Sequence, residues 1–330
     1  MSQYENKKIH FVIDTLHALK YFMPLTIEAN KNNIESVYYV FRNNKWHCAS
    51  NHMDTLKNLS TKYSFKILDG YHIDDINGNV FCMEGLSLDR INNKKNKRII
   101  SLVEQDEPTF LYKKYIDDVD NVIFPNKFLA EWFDTTTNKN LYLGSPKYDV
   151  DYDSTEICKK YNLNDTKKCL IILPKLKDLS VDSNLLNKIY STLKSCNYFV
   201  IGKQRKKDSH PSFKNNCDLY IEESTSYFFP WITMELISIS DFIINFDSSS
   251  IEECLMLNKP LINFSVKEKK WPLIKNLGKE EFCIHSNEKS FSLETIEKVL
   301  KVDKNKITSI KNKKMFNFNS SKKILDYLYG

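Results

Sequence analysis

The sequence predicts an α/β protein made of two doubly wound domains that face a central cleft. Strand-like apolar runs alternate with helical stretches, the runs are apolar throughout, and a polar segment interrupts the series near its middle. Apolar strands of this kind are typical of parallel sheets that helices cover on both faces. A chain of 330 residues also exceeds one comfortable core, so we expect two domains of roughly 150 residues.

The first half of the chain carries the first series of strands. Its strand-like runs are IHFVID, SVYYVF, FKILDG, NVFCMEG, RIISLVEQ, VIFPN and NLYLGSP, with helical stretches between several of them. Gly144-Ser145-Pro146 and the polar stretch that follows then break the pattern. We therefore place the first domain at residues 1–150.

A second series begins after this break. Its strand-like runs are CLIILP, YFVIG, DLYIEE, DFIINF, LINF and FCIH, and SNLLNKIYSTLKS is helical. From Leu293 to the C-terminus the sequence reads as helical throughout. The second domain is predicted at residues 151–330, with the option that the C-terminal helix packs back on the first domain.

Composition narrows the class of protein. The net charge of +6 comes from short lysine clusters diluted by asparagine, which indicates solvated faces and no nucleic-acid partner. This mild excess of positive charge is compatible with a peripheral contact with an anionic membrane surface. Single, scattered cysteines predict reduced thiols, and the lack of a membrane-length apolar run or signal-peptide pattern predicts a cytoplasmic protein. No feature indicates an oligomeric state.

The most informative segment is the serine turn, Asp247 to Ser250, between the runs DFIINF and LINF. Its three serines, Ser248, Ser249 and Ser250, would place hydroxyl and backbone N–H groups at a helix N-terminus, which suits a phosphate or diphosphate. Glu253 follows about one turn into that helix, where a carboxylate suits the hydroxyls of a ribose. The alternative is that the serines only cap the helix.

Two basic residues after the run YFVIG are candidates to neutralise phosphate. Lys203 and Arg205 follow a strand end, and Arg205 could contact a phosphate through two nitrogens. Lys175, after CLIILP, is a third option. The alternative is that GKQRKKD is a solvated basic loop.

His17, after the first strand, is a candidate general base. A histidine near its reference pKa of about 6.5 can accept a proton from an alcohol. Asp14 could orient His17, and Glu104 is a rival base. The alternative is a structural histidine that caps the following helix.

The motifs resemble the GT-B superfamily, in the branch shared by UDP-N-acetylglucosamine 2-epimerases and CDP-glycerol glycerophosphotransferases. ISISDFIINFDSSSIEECLMLNKPLINF is similar to that branch's strand, Ser-rich turn, Glu-bearing helix and Lys-Pro. Gly144 to Asp149 is similar to the G-N/S-P-x-x-D element that ends the first domain, and His210-Pro211 resembles a phosphate-neutralising His-Pro of the transferases. Glu104 matches the catalytic Glu of the epimerases, but the His, Gly and Arg around it are absent.

The resemblance implies a metal-independent transferase without a cofactor. Its donor would be a UDP-sugar or CDP-polyol held by the second domain. Its acceptor would be a hydroxyl of a glycan or polyol in surface-polymer biosynthesis, held by the first domain. One alternative is a UDP-N-acetylhexosamine 2-epimerase or hydrolase with Glu104 or Asp106 as acid/base. Another is a non-catalytic protein of the same fold that binds a nucleotide sugar.

Overall fold

The computed structural model describes residues 7–42, 48–103, 115–132, 134–174, 183–204, 211–222, 229–265, 276–315 and 318–330. The chain divides into two compact units, one formed by Met1–Val150 with Phe316–Gly330 and the other by Asp151–Met315. A parallel sheet lies at the centre of each unit. The predicted α/β class with two doubly wound sheets is therefore confirmed.

The first sheet has seven strands in the order β3-β2-β1-β4-β5-β6-β7. The strands are β1 (Lys8–Ile13), β2 (Glu35–Val40), β3 (Lys66–Asp69), β4 (Gly78–Met83), β5 (Lys97–Leu102), β6 (Asn121–Phe124) and β7 (Asn140–Tyr142). All neighbours run parallel, and sheet growth changes direction between β1 and β4. Each strand lies within or next to a predicted run.

The second sheet has six strands in the order β10-β9-β8-β11-β12-β13. They are β8 (Lys168–Ile172), β9 (Phe199–Lys203), β10 (Leu219–Ile221), β11 (Phe242–Asn245), β12 (Leu261–Phe264) and β13 (Cys283–Ser286). These pairs are also parallel, and growth changes direction between β8 and β11. The two sheets thus share the strand order of the Rossmann fold, 3-2-1-4-5-6, with one extra strand in the first.

Helices connect most of these strands. They are α1 (Leu19–Lys31), α2 (Met53–Tyr63), α3 (Lys127–Trp132), α4 (Ser154–Lys160), α5 (Ser183–Ser195), α6 (Pro211–Lys214), α7 (Ile232–Ile239), α8 (Ser250–Met256), α9 (Leu293–Leu300), α10 (Lys304–Lys314) and α11 (Ser320–Tyr329). No helix among the described residues is long and apolar enough to cross a bilayer. All eight cysteines are free thiols, as expected.

The strands are apolar because side chains on both faces are buried. In the first unit, the ring of Phe11 on β1 lies 4.8 Å from that of Phe22, 4.9 Å from Tyr38 and 5.7 Å from Phe81, measured between centroids. All four side chains are at most 1% exposed. Burial of large aromatic side chains is the main stabilising term in such a core.

The C-terminal region is helical but interrupted, unlike the continuous helical pattern that the sequence predicts. Asp303 ends the first interruption, because its Oδ1 accepts a hydrogen bond from Asn305 N (2.8 Å) and caps α10. Asn319, before α11, has a φ of +70°, a left-handed conformation that asparagine tolerates well. Polar residues with local hydrogen-bonding side chains therefore split one predicted helical stretch into three helices.

Asp149 ties α11 to the first unit. Its carboxylate accepts hydrogen bonds from Asn319 N (2.8 Å) and Ser321 N (2.5 Å), two donors at the start of α11. Burial raises the pKa of Asp149, although these N–H donors act in the opposite direction. At the other end of the helix, Tyr329 Oη donates to Lys8 O (2.6 Å). The Gly-Ser-Pro-x-x-Asp element thus has a structural role that its sequence does not reveal.

We expect Asp149→Ala to destabilise the protein by about 2 kcal/mol, because two amide donors lose their shared acceptor. Amide hydrogen exchange in residues 320–329 should accelerate selectively. Asp303→Ala is the matched control, since it removes a similar cap from α10 and should leave exchange in α11 unchanged. Equal protection of α11 in wild type and Asp149→Ala would contradict the assigned role.

Candidate functional site

The serine turn follows β11, one of the two strands at which the second sheet changes direction of growth. In open parallel sheets, ligands bind outside the carboxyl ends of the strands at such a switch point. The carboxyl end of β8 lies beside that of β11 because the two strands pair in parallel, with Ile171 opposite Ile244. The fold therefore places the three serines at the preferred ligand position of the second unit.

The turn leads into α8 through tight backbone bonds. Ile251 N donates to Ser248 O (3.2 Å) and Glu252 N to Ser249 O (3.0 Å). The side chains cap the helix poorly: Ser250 N lies 3.5 Å from Ser248 Oγ, and Ser249, at the N-cap position, makes no side-chain capping bond. Ser248 Oγ also lies 3.4 Å from Ser250 Oγ. The serine side chains thus do little of the capping that the alternative requires.

A buried polar network holds the turn from below. Asn263 on β12 accepts a hydrogen bond from Asp247 N (3.1 Å) and donates to Asp247 Oδ1 (2.8 Å). Asn245 on β11 donates to Asn263 Oδ1 (2.9 Å) and to Ser248 O (3.2 Å). We call Asn245, Asp247 and Asn263 the turn clamp. The sequence gives no signal of this role for the two asparagines, because each looks like an ordinary polar residue near the end of an apolar run.

Glu253 lies inside the second unit, with 2% of its surface exposed. Burial, followed by the charges of Glu235 and Glu253, raises the pKa of Tyr152. Burial also raises the pKa of Cys254, with Glu253 as the next cause. The carboxylate predicted to bind ribose is thus well shielded from bulk water, which strengthens any hydrogen bond that it makes.

Among the predicted cations, Lys203 is described by the structure. It is the last residue of β9, is 8% exposed, and its Nζ donates to Gln204 O (3.2 Å). Since β9 pairs in parallel with β8, Lys203 lies on the same edge of the sheet as the serine turn. The other predicted residues Arg205, His210, Lys175, Glu104 and Asp106 lie outside the described residues.

His17 and Asp14 lie at the switch point of the first sheet, just after β1. His17 sits in the 3-10 turn Leu16–Ala18, and its Nε2 is 3.3 Å from Lys20 Nζ. An ammonium can only donate, so a hydrogen bond in this contact requires the tautomer that carries its proton on Nδ1. Asp14 Oδ1 is buried and has no hydrogen-bond partner among the described residues.

Glu84 is a further polar residue at the first switch point, and its sequence context does not distinguish it. It follows β4, the neighbour of β1, and has a φ of +48°. Gly85 comes next with a φ of +69°, and a Cβ there would lie 2.3 Å from the ring of Tyr115. Two consecutive residues are thus left-handed, and together they set the path of the chain after β4. A glycine is typical of such a conformation, whereas a glutamate gives no sign of it in the sequence.

The first unit also carries a pocket of about 410 Å³ at the carboxyl ends of β2 and β3. Arg42 and Asp69 form an ion pair there, with Arg42 Nε 3.3 Å from Asp69 Oδ2. Its lining mixes apolar and polar side chains and consists of Val40, Arg42, Ser50, Asn51, Met53, Ile67, Leu68 and Asp69. Such a lining suits a small ligand that carries hydroxyl groups.

Sequence comparison gives no relatives: no family model matches the chain, and no curated protein matches it. Solved structures do match. The wall teichoic acid polymerase TagF soaked with CDPG has a TM-score of 0.65 at 15% identity, over 98% of this chain and 88% of TagF. UDP-GlcNAc 2-epimerase from Methanocaldococcus jannaschii has a TM-score of 0.61 at 13% identity, over 98% and 100% of the two chains.

A third similar structure is the UDP co-structure of MnaA from S. aureus. Its TM-score is 0.60 at 15% identity, and the match covers 97% of this chain and 95% of MnaA. Likenesses at such low identity establish the fold and leave the chemistry open. The chain therefore has the two-sheet α/β fold of GT-B glycosyltransferases, TagF and the UDP-GlcNAc 2-epimerases, as the resemblance predicted.

Proposed function

We propose that the protein is a metal-independent transferase that moves a sugar or polyol phosphate from a nucleotide-activated donor to a hydroxyl acceptor in glycan or surface-polymer biosynthesis. The observation that carries this proposal is the position of the serine turn at the switch point of the second sheet. The fold supports it, because TagF was soaked with CDPG and MnaA was solved with UDP. By analogy, the second unit would bind a nucleoside diphosphate.

The chemistry requires stabilisation of negative charge on the departing nucleotide. Attack by the acceptor oxygen on a sugar carbon would release a nucleoside diphosphate, and attack on the distal phosphorus of a CDP-polyol would release a nucleoside monophosphate. The hydroxyls of Ser248 to Ser250 and the ammonium of Lys203 are the described groups suited to stabilise that leaving group. Preorganised donors of this kind lower the barrier without further reorganisation.

The acceptor hydroxyl must lose its proton as the new bond forms. His17 is the base that we propose, because it lies just after β1 at the switch point of the first sheet and an imidazole can accept a proton from an alcohol. The acceptor itself would be held by the first unit, where the pocket beside Arg42 and Asp69 offers polar contacts for a polyol. No metal or cofactor enters this proposal.

The second candidate is a UDP-N-acetylhexosamine 2-epimerase or hydrolase, which the likeness to UDP-GlcNAc 2-epimerases favours. Its acid/base would be Glu104 or Asp106. Incubation with the sugar nucleotide in heavy water separates the two candidates, because an epimerase exchanges the C2 hydrogen for deuterium and a transferase does not. A protein that binds the nucleotide but turns over no donor would be the non-catalytic alternative.

A thermal-shift screen against UDP, CDP, GDP and their sugar or polyol derivatives tests the proposal. A ligand present at 100 times its dissociation constant stabilises the native state by about 2.7 kcal/mol. We expect UDP or CDP and the corresponding donors to raise Tm clearly above the values with adenine nucleotides. No rise with any of these ligands would overturn the proposal.

Glu253→Gln should weaken nucleotide binding about tenfold, because a charged acceptor for the ribose hydroxyls becomes a neutral one. A 2′,3′-dideoxy nucleotide should bind wild type and variant equally, since it lacks those hydroxyls. Glu252→Gln is the matched control: this neighbour on α8 is 1% exposed, and its loss should affect stability but not affinity. Equal affinities of wild type and Glu253→Gln for the ribonucleotide would remove the ribose role.

A further inference from the structure

We propose that Asn263 is a positioning residue of the nucleotide site, which sets the conformation of the serine turn through Asp247. The inference rests on the proposed function, because it concerns the same turn. Asn263 touches neither the serine side chains nor the proposed ligand position in the contacts that define the turn clamp. It acts through a second residue.

Hydrogen bonds fix the orientation of both amides in the clamp. Asp247 N can only donate, so the atom of Asn263 that it meets at 3.1 Å is the carbonyl oxygen. The amide nitrogen of Asn263 then faces the Asp247 carboxylate at 2.8 Å. Asn245 must in turn present its own nitrogen to Asn263 Oδ1 and to Ser248 O. Reversing either amide would place acceptor against acceptor or donor against donor.

Asn263 forms hydrogen bonds with both the backbone N–H and the side-chain carboxylate of Asp247. Asp247 has a φ of +45°, a left-handed conformation that is unfavourable for a residue with a Cβ. The two hydrogen bonds, to its N–H and to its carboxylate, stabilise this conformation relative to the extended or right-handed ones. Since Asp247 immediately precedes the three serines, its conformation decides where their hydroxyls point.

The hydrogen bonds of the turn clamp do not involve the serine hydroxyls that are proposed to bind the ligand. The clamp reaches the serines only through the backbone carbonyl of Ser248, so the three hydroxyls are not consumed by it. Asn245 and Asn263 lie opposite each other in the strand register, so the pairing of β11 and β12 holds the two amides next to each other. A site on rigid strands is held more precisely than one on loops alone.

The burial of the clamp indicates a role beyond stability. Asn245, the last residue of β11, is fully buried, and Asn263, the next-to-last residue of β12, is 2% exposed; the other residues of both strands are apolar. Asn245 Oδ1 is buried with no hydrogen-bond partner among the described residues. Apolar side chains would fill these positions without an unpaired acceptor, so stability alone does not explain them. Positioning of the turn does.

The decisive variant is Asn263→Asp, which keeps the shape and the acceptor but replaces the donor to Asp247 by a second carboxylate. At pH 8 the two carboxylates repel, the turn shifts, and the affinity for UDP or CDP, whichever stabilises wild type, should fall by 10- to 100-fold. At pH 5.5 one of the pair takes up a proton, the donor is restored, and much of the affinity should return. Cys283 and His285 on the neighbouring strand β13 are the same in wild type and variant, so wild type measured at both pH values is the reference that corrects for titration of the nucleotide and its surroundings.

Asn263→Leu and Asp241→Asn complete the experiment. Asn263→Leu removes the clamp without adding charge and should lose affinity at both pH values. Asp241 lies just before β11, at the other end from the turn, and accepts a hydrogen bond from Lys168 N (2.7 Å). Asp241→Asn should lower Tm while preserving affinity, which shows that loss of stability alone does not impair binding. All titrations are run below the lowest Tm of the set.

The outcomes separate this inference from the proposed function. Wild type that binds neither UDP nor CDP overturns the proposed function and the inference with it. Wild type that binds, together with Asn263 variants of unchanged affinity, overturns the inference alone. Loss of affinity in Asp241→Asn as well would also overturn it, because the effect would then be one of general stability. Loss in both Asn263 variants, with pH-dependent recovery only in Asn263→Asp, supports it.

Discussion

Replacing Ser249 with glutamate should reduce the affinity for a nucleoside diphosphate by on the order of 100-fold. Ser249 is partly exposed in the serine turn, so a longer side chain can be accommodated there. Two like charges about 4 Å apart repel by roughly 4 kcal/mol near a protein surface, and solvent reduces this to the range of a hundredfold loss. Titration calorimetry with UDP and CDP measures the effect.

Ser249→Gln is the matched control, because it has the length of glutamate without the charge. It should retain affinity within a few fold, whereas Ser249→Glu should bind poorly and recover little in high salt. Equal affinities of the two variants would show that no phosphate docks at this turn. Equal Tm values of the two free variants establish that folding is not the cause.

Lys160→Met should destabilise the second unit by about 2–3 kcal/mol, because it removes the main partner of a buried carboxylate. Lys160 Nζ lies 2.9 Å and 2.7 Å from the two oxygens of Glu235, whose side chain is 6% exposed. Tyr161, the residue after α4, also donates a hydrogen bond from its Oη to Glu235 (2.8 Å), and this bond would remain in the variant. Lys160 itself is 46% exposed, so solvent moderates the loss. Chemical denaturation measures the free energy of unfolding.

The control for Lys160→Met is Lys298→Met. Lys298 Nζ forms a pair of similar length with Glu294 (2.8 Å), four residues earlier on α9, but both side chains are more than half exposed. Exposed pairs of this kind contribute less than about 0.5 kcal/mol. A similar loss in both variants would contradict the assignment of Glu235 as a buried charge that depends on Lys160.

The strands were predictable because both faces of each sheet are buried, so each strand is a continuous run of apolar residues in the sequence. DFIINF and LINF, for example, contain β11 and β12, and the three serines between them predicted the strand-to-helix turn. Periodicity could not show where helices stop. The breaks around Asp303 and Asn319 depend on single polar residues within a sequence that otherwise favours helix.

The interactions that shape the site were not predictable, because they join residues distant in sequence. Asn263 on β12 meets Asp247, which precedes α8, and Asp149 meets the start of α11, which is 170 residues away at Asn319. The left-handed conformation of Asp247 likewise has no signal in the sequence, since aspartate is common in turns of many kinds. Local pattern located the turn, and tertiary contacts determine its geometry.

A crystal structure of the protein with UDP or CDP tests the central claim most directly. The account predicts that the phosphates lie within hydrogen-bond distance of the Ser248–Ser250 turn at the carboxyl end of β11. Phosphates bound elsewhere on the protein, with this turn filled by the protein's own side chains, would contradict it.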